Sequence, residues 1–433
     1  MKIIYEKEKN FNKKFNNLLL SRDQYISQNV DKVVKKIIND VKINGDKALI
    51  KLSNKYDKLK IKNKKDLFVN TYKINNYAKK IQPNIFKNFK IAINRIKIYH
   101  NKQLPKNYSI IKNGIKLHSK WKPIDSVGLY IPGGEASYPS SLLMNIIPAK
   151  IAGVKRIVIV TPSNKGNFNP YVMAILKYLK IKEIYQIGGA QAIAALAYGT
   201  KVIKPVDKIF GPGNSFVASA KKQVFGKVGV DLIAGPSEVL VVADKNNNPE
   251  WVACDLIAQA EHDESAQSIL ITNNKFFASK VIKYIDKYAN NLSRKNIIKK
   301  SMKRYGSIII LKSLKNAHTY INKLAPEHLH LQSKNRNYIY TKVINAGAIF
   351  LGEYSTESIG DYIAGTNHIL PTGRTSRFSS GLGVLDFMKR ISSIEINKKG
   401  FKSLSNSTEQ MAEVEGLYGH KLSVQIRKKK YNI

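Results

Sequence analysis

The feature that most constrains this chain is a repeated exchange between two hydrophobic periods. Short apolar runs that stop at glycine, proline or a hydroxyl residue take turns with stretches whose apolar positions recur at helical spacing. Residues 127–131, 156–161, 183–187 and 208–210 are runs of the first kind, with helical stretches such as 140–151 and 190–198 between them. A second series follows at 238–243, 268–272, 306–311 and 348–351. Strands alternating with helices build parallel, doubly wound sheets. The expectation is two α/β layers, with no internal repeat.

In such sheets ligands bind beyond the carboxyl ends of strands. Four turns stand out there: Tyr130-Ile131-Pro132-Gly133-Gly134, Gly188-Gly189-Ala190-Gln191, Gly211-Pro212-Gly213-Asn214 and Gly235-Pro236-Ser237-Glu238. Glycine lets backbone N–H groups come close to a phosphate or a flat ring. Any one of these is explained as a tight turn; four together favour a nucleotide pocket. None fits G-x-G-x-x-G or G-x-x-x-x-G-K-[ST], so neither common phosphate loop is used.

Around the sheets, residues 1–22 are polar and lysine-rich apart from Leu18–Leu20 and read as an arm. A helix from Arg22 to Asn44 ends at Gly45, a second covers 47–56, and basic helical scaffold runs to about 101. The last fifty residues leave the α/β pattern. Ser407-Thr408-Glu409-Gln410 reads as a capping box opening a helix to about Leu417, followed by an alternating run over 422–426. So short a tail packs on the body or on a partner, because it cannot bury enough surface alone.

Lys and Arg number 73 against 30 acids, a net charge of +43. That would suggest nucleic acid, yet only ten of these residues are Arg, the side chain that reads phosphate and guanine bidentately. The lysines are scattered over every polar face, so specific nucleic-acid binding is not expected. No stretch is long and apolar enough for a membrane span or a secretory signal. The single cysteine, Cys254, fits a reducing cytoplasm. Flanked by Val252 and Ala253, it reads as an inert core residue.

Chemistry concentrates elsewhere. Residues 255–268, DLIAQAEHDESAQS, lie between two strands. On a helix Gln259 and His262 would share a face, and an amide oxygen and an imidazole converging with acids nearby suit a divalent metal or a polar small molecule. By itself this stretch is better explained as the solvated face of an amphipathic helix. Of eight histidines, His100, His118 and His318 read as surface residues and His330 as a strand position. His262, His328, His368 and His420 each adjoin an acid or a glycine turn, in EHD, PEHL, AGTNH and EGLYGH. Together they point to one polar site.

The stretches GLYIPGG, GGAQAIAALAYGT, VDKIFGPGN, AGPSEVLVVAD, QAEHD, APEHL, SIGDYIAGTNHILPTG and EGLYGHK are long and ordered. Through them the chain resembles the histidinol dehydrogenase family from about residue 23 to 427. The resemblance implies a four-electron oxidation of L-histidinol to L-histidine with two NAD⁺. It implies Gln259, His262, Asp361 and His420 as ligands of one zinc per subunit, although spacing alone does not select Gln259 over Glu261 or Asp263. Glu327 and His328 match the acid–base pair. Ser237, His328 and Glu415 match substrate contacts, with His368 in the same loop, and the metal ligands also face substrate. Tyr130, Gln191 and Asn214 match NAD contacts.

The implied fold is a pair of Rossmann-like, aldehyde-dehydrogenase-type α/β domains in a cytoplasmic homodimer with shared active sites. The layout expected is an arm over 1–22, a metal-bearing domain over 23–129 plus 239–381, an inserted cofactor domain over 130–238, and a tail over 383–433 that crosses to the partner subunit. In this reading His328 takes the alcohol proton, its ordinary pKa lying near neutrality, and Glu327 activates water for the second oxidation. A dehydrogenase of another amino alcohol, or a polyanion-binding protein on a relict fold, is the competing reading.

Overall fold

The computed structural model describes residues 1–21, 27–133, 138–233 and 235–431, so Arg22 and Gly134 lie outside the described residues. Six strands form one sheet in the spatial order Lys2–Tyr5, Ser307–Ile310, Gln267–Thr272, Glu238–Val242, His328–Leu331 and Ala348–Leu351. Every neighbouring pair is parallel. The central strands EVLVV and QSILIT are buried at every position, as sheets covered by helices on both faces require. From Glu238–Val242 the chain winds to one side, then returns to place His328–Leu331 on the other, so the order reverses between these two strands.

A second parallel sheet runs Glu183–Tyr185, Arg156–Val160, Ser126–Tyr130, Lys208–Phe210 and Gly229–Val230. Its order reverses between Ser126–Tyr130 and Lys208–Phe210. Both sheets match the doubly wound expectation.

The layout around them differs from the expected one in three places. Residues 1–20 are not an arm: Lys2–Tyr5 is the edge strand of the six-stranded sheet, and Ile4, Phe11 and Phe15 are buried in its core. The rings of Phe11 and Phe15 sit edge-on to Tyr320. These apolar residues are spaced too widely among lysines to show as a patch.

The helices between 28 and 101 do not join the six-stranded unit. Val34, Ile37, Ile38 and Val41 of the Gln28–Asn44 helix pack with Ile193 and Leu196 against the five-stranded sheet. Ala92, Ile93 and Ile96 pack against Leu142 and Ile146 on that sheet's other face. The expected boundary at 129/130 falls inside Ser126–Tyr130, because its carbonyl and amide groups are needed by both neighbouring strands.

The tail also differs. Met388–Ile396 joins Ile115–Pro123 and Tyr108–Lys112 in an antiparallel sheet. Asn397, not Ser407, caps the Lys398–Val414 helix, its side chain accepting from Gly400 N. The expected box lies inside that helix, where the Thr408 hydroxyl donates to Leu404 O at 2.9 Å. Such back-bonding lets a capping residue sit within a helix. The 422–426 run is helical too, within Tyr418–Tyr431.

Among the described residues, no helix is long and apolar enough to cross a membrane.

Candidate active site

A cavity of about 340 Å³ lies where the two parallel sheets meet. Gly211, Asn214 and Asp231 reach it from carboxyl ends of the five-stranded sheet. Ser237, Glu327 and His328 reach it from amino ends of the six-stranded sheet. Gly235-Pro236-Ser237-Glu238 therefore leads into a strand rather than closing one. Asp263, Asp361, Tyr362 and His368 complete much of the wall, and His262 stands at its mouth.

The order reversal in the six-stranded sheet sets Glu238 and His328 side by side. Glu238 N donates to Glu327 Oε2 at 2.8 Å, and Glu238 Oε1 accepts from Gly373 N at 2.9 Å. His328 Nδ1 lies 3.2 Å from the Glu238 carbonyl oxygen, an acceptor only, so the proton is assigned to Nδ1. Nε2 is then left 3.5 Å from Asp361 Oδ1 as a buried nitrogen without a hydrogen-bond partner. That is the atom able to exchange a proton with a ligand in the cavity.

Burial dominates the titration here. It pushes Glu327 up to about 8, against the lowering pull of His328 and the Glu238 N–H. Burial also works against the His328 cation, yet Glu357, Glu327 and Asp361 more than reverse this and hold the imidazole well above 6.5. His262 and His368 are held below 6.5 by desolvation, only partly offset by Asp361. One wall thus carries a proton-rich imidazole and two neutral ones that can offer lone pairs.

Asp361 sits on a single π-helical turn, Gly360–Ala364, a local irregularity common at functional sites. Its carbonyl oxygen meets His368 Nδ1 at 2.9 Å, and His368 Nε2 meets Ser141 Oγ at 3.1 Å.

Gln259 is fully buried one layer behind the wall, and its helix ends at Ala260 just before His262. With its amide oriented to satisfy its neighbours, it donates to Glu357 and accepts from Glu238 N at 2.9 Å. Glu357 was not singled out in the sequence. It is buried, pushed up to about 8 by desolvation, and groups with His328 and Asp361 so that one donor atom of each lies within 4.8 Å of the others. The only signal was its place four residues before Asp361, one helical turn. Behind it His330 is wholly buried, 3.5 Å from Asp255 Oδ2 and 3.9 Å from Glu357 Oε2.

A second cavity, of about 470 Å³, opens at the carboxyl ends of the five-stranded sheet. Tyr130, Gln191 and Asn214 all line it, with Gly133, Gly189 and Asp57. Tyr130 Oη accepts from Gly189 N at 3.2 Å, tying two of the glycine turns together. Asn214 lines both cavities, and its Oδ1 caps the Ser215–Val224 helix.

Glu415 and His420 are not brought to either cavity; both are exposed on the tail. Two other expectations fail on burial. Cys254 is exposed, because it lies on the outer side of the Pro249–Ala260 helix whose inner side carries Val252, Ala253 and Leu256. Its thiol is raised by partial desolvation and by Asp255 and Glu250. His100 is buried rather than superficial, its Nδ1 satisfied by Ile96 O at 2.8 Å one helical turn back.

Two parallel sheets meet at a buried carboxylate–imidazole centre with a second cavity alongside, the architecture of an α/β protein with a candidate active site. A sequence model described as histidinol dehydrogenase matches residues 20–428. The histidinol dehydrogenase of Rhodospirillum rubrum is 47% identical over 411 residues, 94% of each chain, and that of Rhizobium meliloti is 46% identical over 410 residues, also 94% of each. The crystal structure of histidinol dehydrogenase from Elizabethkingia anophelis superposes with a TM-score of 0.92 at 35% identity, covering 100% of this chain and 99% of that one. The chain belongs to the histidinol dehydrogenase family.

Proposed function

We propose that this chain oxidises L-histidinol through L-histidinaldehyde to L-histidine, the last step of histidine biosynthesis, passing two hydrides to two NAD⁺. The observation that carries the reading is the pairing of an unpartnered His328 Nε2 and a buried Glu327 with a second cleft that shares Asn214. In the first half-reaction His328 takes the hydroxyl proton as hydride leaves the carbinol carbon; the carboxylates that raise its pKa make Nε2 a strong base once the ring is neutral, so this step needs the deprotonated fraction of His328. In the second, Glu327 takes a proton from the water that adds to the aldehyde, and hydride leaves the hydrate. Its pKa near 8 suits a base that must both accept and release protons close to neutrality.

The donor set fits one zinc per subunit. On the wall, the neutral imidazole of His262 and the carboxylate of Asp361, with no thiolate beside them, suit a site that keeps positions open for substrate, while the Gln259 amide would reach the ion from the layer behind by exchanging its present partners. Gln259, His262 and Asp361 would hold the ion from one chain, and His420 from a second. When bound, the metal supplies a Lewis-acidic anchor for the substrate's imidazole and amine. Ser237, His368 and Glu415 orient the rest of the substrate, while Tyr130, Gln191 and Asn214 hold NAD.

The exposure of Glu415 and His420, outside the lining of their own chain's cavities, supports a homodimer with shared sites. So do the exposed Val414, Leu417, Tyr418, Leu422 and Ile426 on the same tail. The setting is the cytoplasm.

The test is absorbance at the NADH band with limiting histidinol. Two NADH per histidinol are expected; one or none would overturn the reading. A dehydrogenase of another amino alcohol would leave histidinol unoxidised.

A further inference from the structure

The loop Gly211-Pro212-Gly213-Asn214 lines the first cavity along its length and its last residue, Asn214, lines the second as well, so the loop is a partition that borders both. A buried ion pair grips it from beneath. Lys221, on the helix that Asn214 caps, is 2% exposed, and the side chain of its partner Asp231 is 3% exposed. The ammonium contacts Asp231 Oδ1 and also donates to Gly211 O at 3.0 Å. Asp231 Oδ2 accepts from Gly211 N at 2.7 Å. Both polar groups of one glycine are thus held by the two members of a single pair.

Gly211 needs that grip. Its φ is +108°, and a Cβ there would collide with the backbone oxygen of Tyr130. The same peptide therefore locates Tyr130, one wall of the second cavity, and starts the turn that ends at Asn214. A buried pair seldom stabilises more than apolar side chains of equal volume would. Stability alone does not account for placing a lysine and an aspartate here.

We infer that Lys221 and Asp231 are positioning residues: they fix the Gly211–Asn214 partition so that NAD in the second cavity is held in register with substrate in the first. The inference rests on the cofactor reading of that cavity. Lys221 lines neither cavity and Asp231 lines only the first, so the effect of the pair on NAD in the second passes through the Gly211 peptide.

The experiment uses the full-length, zinc-loaded protein and titration calorimetry with NAD⁺, alongside thermal melting. In the double variant Lys221→Met/Asp231→Leu the charges leave together, so the core is expected to stay folded, with a melting point lowered only by the two unmet polar groups of Gly211. Gly211 N–H and C=O lose their partners, and NAD is expected to bind roughly 10- to 100-fold more weakly. Asp231→Asn, which keeps an acceptor for Gly211 N–H, is expected to fall between parent and double variant. A pair of merely structural use would lower the melting point and leave NAD affinity of the folded protein unchanged, and that result overturns the inference. Should the double variant fail to fold, unchanged affinity in Asp231→Asn overturns it equally. A parent that binds NAD but leaves histidinol unoxidised sinks the proposed reaction and leaves this test intact; a parent that binds no NAD sinks both.

Discussion

Glu327→Gln should separate the two proposed oxidations. Glutamine has nearly the same volume as Glu327 and keeps an oxygen to accept the 2.8 Å hydrogen bond from Glu238 N, so the wall holds its shape. What disappears is ionisation. A carboxyl with a pKa near 8 is ionised in about one molecule in ten at pH 7, so the base-limited step should climb about tenfold as pH rises past 8. In the variant that rise should vanish and the aldehyde step fall by about 10²–10⁴, the usual contribution of one general base. Oxidation of the alcohol, which draws on His328 Nε2, should persist. The assay supplies histidinol and histidinaldehyde separately and follows NADH over a pH series. Equal loss with both substrates would refute the division of labour and leave Glu327 as a support for His328 or the metal.

Stability gives an independent check. Because the folded-state pKa is raised, the folded chain keeps a proton that the unfolded chain releases, so this carboxyl erodes stability as pH rises from 4.5 to about 8. Over that window the Gln variant should gain in melting temperature relative to its parent. A loss would show that the substitution damages the fold.

Chelation should abolish histidinol oxidation and added zinc restore it, while His262→Ala should lose bound zinc, measured by elemental analysis, with its circular dichroism unchanged; full zinc in that variant would contradict the ligand assignment. Mixing His420→Ala with His262→Ala chains should restore part of the activity if one site of each hybrid dimer is intact, and hybrids that form yet stay inactive would place all ligands on one chain. Asp57, raised from 3.8 to about 6 chiefly by burial, makes stability fall as pH rises through that interval. The full shift corresponds to about 3 kcal/mol, reduced to about 1 kcal/mol for a side chain still partly in contact with water. Asp57→Asn should therefore raise the melting temperature at pH 7 and leave it unchanged at pH 3, and the same difference at both pH values would refute the cause.

The parallel strands were legible because each needs an apolar side chain on both faces. Residues 208–210 were placed to the residue, and 238–243 within one. The turns carrying Tyr130, Gln191 and Asn214 were legible because glycine and proline mark where a strand stops. Glu357 was not, since a buried acid reads in sequence like any exposed one until a fold surrounds it. Lys221 was hidden in the same way among sixty-two other lysines that differ from it only in their surroundings.

By itself, then, the sequence determined the alternation of strands and helices, the turns beyond them and the family, because these rest on local period and on residue type. Only the tertiary structure decided which sheet each helix covers. Only there does the amino edge of one sheet face the carboxyl edge of the other, bringing His328 within reach of Asp361 while Glu415 and His420 stay outside. It also decided which titratable groups lose their water, and so which of them hold protons near neutrality. Desolvation and contact arise between segments far apart in the chain, and no local pattern of residues encodes them.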